Sequence, residues 1–159
     1  MKRVMVVLGS GGHTAEVIEL TKLLGDRYEY IYLVSPDDLN SVAKIVHEGN
    51  IMKVQRPTKY GFNIFQTVLS ILRSYFQARR VIRHTNFDAI IGTGPGICIF
   101  PMYFAHKKGK KVIFIETVSR VNTFSQTGKR VHRWADQFFV QWPQQKKGYK
   151  KAKYAGRLL

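Results

Sequence analysis

Short apolar runs alternate with segments of helical period along the first third of the chain. Residues 4–8 are apolar, rich in valine and ended by a glycine turn, which predicts a strand buried on both faces. Ala15, Val17, Ile18, Leu20, Leu23 and Leu24 then recur at helical spacing, and Gly25-Asp26 stops that helix. Residues 28–34 read as a second strand, Ser35-Pro36-Asp37-Asp38 as a turn and helix cap, Leu39, Val42, Ala43, Ile45 and Val46 as a second helix, and residues 51–54 as a third strand. This β-α-β-α-β order is the first half of a doubly wound sheet.

After the loop Gln55-Arg56-Pro57-Thr58, a long amphipathic helix is expected over about residues 60–84. A fourth strand at 88–91 ends in Gly92-Thr93-Gly94-Pro95-Gly96 and leads to an apolar helix at 97–105. A basic turn at 107–111 precedes a fifth strand, 112–115, which ends in Glu116. Residues 118–134 read as a broken loop and helix, 137–141 as a sixth strand closed by Trp142-Pro143, and about 144–159 as a basic, polar tail. The expected fold class is α/β, a Rossmann-like doubly wound parallel sheet, with residues 1–159 as one domain.

Composition adds one strong constraint. At 159 residues and 45% hydrophobic the chain has enough apolar material for a core, and a single cysteine, Cys98, rules out a disulfide framework or a clustered zinc site. A lone cysteine fits a reducing cytoplasm. The net charge of +16 is placed unevenly. Residues 1–58 are balanced, while residues 59–159 hold only the acids Asp88, Glu116 and Asp136 and carry the whole excess. A one-sided field of this kind points to an anionic partner: lipid, nucleic acid or a phosphorylated ligand. The opening Met1-Lys2-Arg3 and its strand-length apolar run do not make a signal peptide, and no run approaches the roughly 18 apolar residues of a membrane span. The expectation is a chain that lies on a membrane without crossing it.

Ligands of open α/β sheets bind beyond the carboxyl ends of the strands. Three expected strand ends meet there: residues 9–13, 92–96 and 116–120. In the first, Gly9-Ser10-Gly11-Gly12-His13-Thr14 is not a Walker A loop, because no Lys-Ser/Thr follows. It is also a poor dinucleotide fingerprint, since Thr14 stands at the third glycine position and Val34-Ser35-Pro36 supplies no acid for a ribose. What it offers is a backbone cradle with an imidazole at a helix N-terminus, where the positive end of the dipole disfavours imidazolium and suits a neutral base. The alternative is a plain strand–helix turn in which His13 only caps the helix. Gly92-Thr93-Gly94-Pro95-Gly96 is either a second ligand corner or a tight turn. Glu116 either contacts sugar or acceptor hydroxyls or pairs with Arg120. The 60–84 helix is either an aromatic-rich core helix or one lying among lipid headgroups, because its polar face is basic and it contains no acid.

Three motifs in this order and spacing carry a resemblance over nearly the whole chain: Gly9-Ser10-Gly11-Gly12-His13-Thr14-Ala15-Glu16, Ile91-Gly92-Thr93-Gly94-Pro95-Gly96, and Ile115-Glu116-Thr117-Val118-Ser119-Arg120-Val121. The chain resembles the asparagine-linked glycosylation protein 14-like family, the smaller-lobe subunits of split GT-B glycosyltransferases in N-glycan assembly, with bacterial counterparts in capsule and exopolysaccharide synthesis. The resemblance implies the N-terminal, acceptor-binding lobe of a two-component enzyme. A separate donor-binding C-terminal-lobe subunit would hold the nucleotide-sugar, and the acceptor would be a polyprenyl-diphosphate-linked saccharide. The single-chain transferase that makes the peptidoglycan lipid precursor opens with a similar loop. By that similarity Gly11, Gly12 and His13 would face the acceptor diphosphate, with His13 the candidate base and Glu116 near the acceptor sugar. Gly9, Ser10, Thr14, Thr93, Gly94, Gly96 and Arg120 complete the expected acceptor and phosphate contacts.

The resemblance calls for no cofactor and no metal. Eukaryotic relatives carry an N-terminal membrane anchor, whereas this sequence opens at its first strand. Attachment to the cytoplasmic face of an anionic membrane would then rest on the 60–84 helix and the basic second part, which suits the bacterial capsule or exopolysaccharide type. Some bacterial members are described as activating subunits, so a non-catalytic membrane adaptor is the alternative. A nucleic-acid-binding module would also suit +16, but the basic residues accompany an apolar helix and no nucleic-acid recognition motif, so no nucleic acid is expected as a partner.

Overall fold

The computed structural model describes residues 1–57 and 63–159. Among the described residues, seven parallel strands form one sheet: β1 (Lys2–Val7), β2 (Tyr28–Val34), β3 (Gly49–Lys53), β4 (Ala89–Gly92), β5 (Lys111–Ile115), β6 (Gln137–Val140) and β7 (Ala152–Tyr154). Their spatial order is β3-β2-β1-β4-β5-β6-β7, so the order reverses between β1 and β4. The helices are α1 (Gly12–Leu24), α2 (Leu39–Val42), α3 (Ile64–His84), α4 (Ile99–Lys107) and α5 (Gln126–Val131).

Alternation along the central strands divides the core in two. Met5 and Val7 of β1 join Ile31, Leu33, Ile90, Val112 and Phe114 beneath Ala78 and Ile82 of α3, Met102 and Ala105 of α4, and Val131 of α5. Val4, Val6 and Leu8 point the other way, with Tyr30, Tyr32, Val34, Ile91 and Ile115, against Val17 and Ile18 of α1. Beyond α1, this second face meets the last residues of the chain around Leu158, beside an apolar cleft lined by Leu20, Leu24, Ile113 and Phe139.

Several expected elements take a different form. The second helix is one turn, capped by Asp38, which accepts from Ser41 N at 3.2 Å. Leu39 and Val46 are exposed rather than part of the core. β3 begins at Gly49, earlier than residue 51, and this leaves little chain for a longer helix. A side chain at Gly49 would place its Cβ 2.4 Å from the Tyr30 carbonyl oxygen. α3 starts at an Asn63–Gln66 capping box, and the expected start near residue 60 lies outside the described residues. A single 3₁₀ turn, Gly96–Cys98, precedes α4. The basic tail is not a loose appendage. It forms a 3₁₀ turn at Pro143–Lys147 and then β7, and the Leu158 amide donates to Gln141 Oε1 at 2.8 Å.

α3 has its large and small residues on unexpected sides. Ser70, Ser74, Ala78 and Ile82 are buried, and Tyr75 sets its ring edge-on to Phe100 and Phe104 of α4. The bulky residues Ile64, Phe65, Val68, Leu72 and Phe76 are exposed. Among the described residues no helix is long and apolar enough to cross a membrane.

Candidate functional site: a glycine corner with an enclosed histidine

The site lies where the strand order reverses, at the carboxyl ends of β1 and β4. The two loops interlock because they lack side chains. A Cβ on Gly9 would sit 2.5 Å from Pro95 Cβ, so only glycine allows the first loop to press against the second. Gly94 adopts φ +96°, and a Cβ there would lie 3.2 Å from His13 Cε1. Thr93 completes the lock. Its Oγ1 donates to the His13 carbonyl at 2.7 Å, and its own carbonyl accepts from His13 Nδ1 at 2.6 Å. With Nδ1 as the donor, a neutral ring carries its lone pair on Nε2. The His13 side chain is 30% exposed, and Ser10, Gly11 and Gly12 beside it are open to solvent.

A polar cluster supports the corner from below. Thr14 Oγ1 donates at 2.7 Å to Ser41 Oγ, which has the Gly9 carbonyl at 2.9 Å and Asp38 Oδ2 at 2.7 Å as acceptors. Arg56 spans the cluster, donating to Ser10 Oγ at 3.1 Å and to Asp38 Oδ2 at 3.4 Å. Its carbonyl accepts from Ser70 Oγ of α3 at 3.0 Å, so the loop that carries Arg56 is tied to the exposed apolar helix.

The expected contacts therefore separate into two sets. Ser10, Gly11, Gly12 and His13 form one open corner, and Gly96 and Arg120 are exposed. Gly9, Thr14, Thr93 and Gly94 are buried and shape the corner. Glu116 is not presented at the ligand edge in this structure. It is fully buried, with Oε1 accepting from Thr117 N at 3.0 Å and Oε2 from Ser125 N at 3.1 Å. A Cβ on Gly128 would overlap Glu116 Oε2 at 2.1 Å, which shows how closely the carboxylate is enclosed. Burial pushes the Glu116 carboxyl above its ordinary range, against the pull of hydrogen bonds from Ser125 and Thr117 and the charge of Arg120. Its work is to pin the loop after β5.

Sequence reasoning passed over two charged residues here. Glu16 lies one helical turn from His13 and is 1% exposed. Its signal was the His-x-x-Glu spacing, which puts both side chains on one helix face. Arg56 sits in a loop that no pattern connects to Ser10. Among the described residues no three His, Cys, Asp or Glu side chains gather as metal ligands would. A cavity of about 1030 Å³ lies at the opposite ends of the strands, around Arg3, Tyr28, Asn50 and His84, away from these groups.

The family model described as "Oligosaccharide biosynthesis protein Alg14 like" matches residues 4–158. The chain belongs to the Alg14-like family. It is 33% identical to the UDP-N-acetylglucosamine transferase subunit alg14 of Schizosaccharomyces pombe, covering 98% of this chain and 82% of that protein. It is 30% identical to the human subunit of the same name, with the same coverage of each chain. These Alg14-like relatives are eukaryotic, so the bacterial polysaccharide type expected from the motifs gains nothing from them. Among solved structures, Acinetobacter baumannii MurG superposes with a TM-score of 0.74 at 20% identity, over 91% of this chain and 43% of MurG. The Alg14-like chain thus has the Rossmann-like fold of one GT-B lobe and spans less than half of the MurG chain.

Proposed function

We propose that this chain is the acceptor-binding, membrane-recruiting subunit of a two-component glycosyltransferase. The donor is a nucleotide-sugar held by a separate donor-binding subunit, and the names of the Alg14 relatives favour UDP-N-acetylglucosamine. The acceptor is a polyprenyl-diphosphate-linked saccharide at the cytoplasmic face of the membrane. A capsule or exopolysaccharide setting rests on the motif resemblance alone.

The observation that carries this reading is the pairing of His13 with the open Gly11-Gly12 backbone at the start of α1. Unpaired amides and the helix dipole suit a diphosphate. His13 Nε2 takes the proton of the attacking acceptor hydroxyl, the acceptor oxygen bonds to the anomeric carbon, and the nucleoside diphosphate leaves with the electrons of the broken C–O bond. The exposed apolar side of α3 supports membrane docking, and Arg73, Arg79, Arg80 and Arg83 accompany it without an acidic residue in the helix. Each such residue near an anionic surface contributes about 1 kcal/mol.

The test is sugar transfer from radiolabelled UDP-N-acetylglucosamine to a polyprenyl-diphosphate saccharide in vesicles, by this chain with its donor-binding partner. Transfer that needs both chains supports the reading. Full transfer by the partner alone, on the same vesicles, contradicts it. Full transfer by a pair in which His13 is replaced reduces the chain to an adaptor.

A further inference from the structure

The acid closest to His13 in the chain is buried where an ordinary surface glutamate would be free. Glu16 Oε1 accepts from Val118 N at 2.7 Å and from Thr117 Oγ1 at 2.9 Å, so the first turn of α1 is fastened to the loop after β5. Its other oxygen, Oε2, is buried, has no hydrogen-bond partner, and stands 4.0 Å from His13 Nδ1. A buried carboxylate oxygen without a donor is costly, and a helix anchor needs only Oε1. The second oxygen has a use when positive charge appears on the neighbouring ring.

We propose that Glu16 is the positioning residue of His13: its fixed carboxylate balances the imidazolium that forms when Nε2 takes the acceptor proton and, with the Thr93 carbonyl, holds the ring in the Nδ1–H form. This rests on the reading of His13 as the base. In the reacting step Nδ1 keeps its hydrogen, directed to Thr93 O, and no proton passes to Glu16. The carboxylate acts through charge at 4.0 Å, from a side chain that is itself 1% exposed. The neighbours fit this role. Gln141, directly after β6, approaches Glu16 along with Thr117 and Val118, and the titratable group acting on it is His13. Other charged groups at this edge include Glu116, committed to Thr117 and Ser125, Arg56, committed to Ser10 and Asp38, Asp37, bonded to Ser35, and the exposed Arg120. Burial raises the Glu16 carboxyl above its ordinary range, opposed first by the hydrogen bonds from Val118 and Thr117 and then by the charge of His13.

The coupling is measurable on the chain itself by carbon-detected NMR titration of His13 Cε1 and Glu16 Cδ. In the wild type the Glu16 signal is expected to show an inflection at the His13 midpoint. In Glu16→Gln the His13 midpoint is expected to fall relative to the wild type, because the neighbouring negative charge is gone. In the complex with the donor-binding subunit, Glu16→Gln is expected to lose about tenfold in kcat with KM unchanged, to shift the acid limb of the pH profile downward, and to regain part of the loss as Glu16→Asp. An unmoved His13 midpoint in Glu16→Gln overturns the proposal. So does a wild-type Glu16 signal with no inflection, an outcome that stands even if the variant fails to fold. The two levels separate cleanly. Wild-type turnover of His13→Ala removes the base reading, whereas loss of turnover there with an unaffected Glu16→Gln keeps that reading and removes Glu16 from it.

Discussion

At the residue scale, the glycines of the corner divide by what a methyl group would meet. Gly94 has φ +96° and its Cβ would press on His13, so Gly94→Ala is expected to cost about 1–3 kcal/mol and to displace the ring. Denaturant unfolding and the His13 NMR signals check both effects. Gly12 meets nothing within 4 Å and has an ordinary φ. Gly12→Ala is therefore expected to keep stability within about 1 kcal/mol of wild type while lowering transfer, because a methyl there narrows the approach of a ligand to the helix amides. A fall in both, or in neither, would contradict that role. The sequence placed Gly11, Gly12 and His13 together because a strand, a glycine turn and a helix leave few arrangements. For Glu116 it left a ligand contact and a structural role both open, for a physical reason. An acid directly after a strand has the right position, but whether it faces a ligand or its own loop depends on Gly128 and the Ser125 amide, which are distant in sequence.

At the element scale, α3 carries the strongest departure from an ordinary Rossmann helix. The sequence period showed a wide apolar face but not which side of the helix meets the sheet. The structure buries the small side and leaves Phe65 and Phe76 exposed. Phe65→Glu with Phe76→Glu is expected to abolish flotation with anionic vesicles and to change unfolding free energy by no more than about 0.5 kcal/mol per site, the usual range for exposed positions. A large loss of stability would mean these rings are core residues after all. β7 was illegible for the opposite reason. Ala152-Lys153-Tyr154 is too short to show a period, and its burial comes from one alanine against Phe138 and its neighbours. Tertiary packing, not local pattern, makes that strand.

At the scale of the whole molecule, the sheet is held at its base by turn acids and opens its functional edge at the top. Asp136 accepts from Val112 N at 2.9 Å and from Lys111 Nζ at 3.3 Å, joining the starts of β5 and β6. Partial burial raises its carboxyl, but these two partners and the charge of Lys111 outweigh it and leave a net lowering from 3.8. A lowered acid stabilises the fold above its unfolded value and loses that contribution as pH falls through the folded one. Asp136→Asn is thus expected to cost about 1 kcal/mol at pH 7 and less below pH 3. Paired unfolding curves at the two pH values check the sign.

The same view gives the lobe its meaning. A doubly wound sheet with an open corner, an exposed apolar helix and a strong positive charge suits one wall of a site that another chain completes at a membrane. The central claim is that His13 performs the proton transfer in that shared site. Its most direct test is kcat for sugar transfer by the assembled pair carrying His13→Ala. The account predicts a fall of about 100-fold or more, with vesicle binding and partner association intact. Turnover equal to wild type would contradict it.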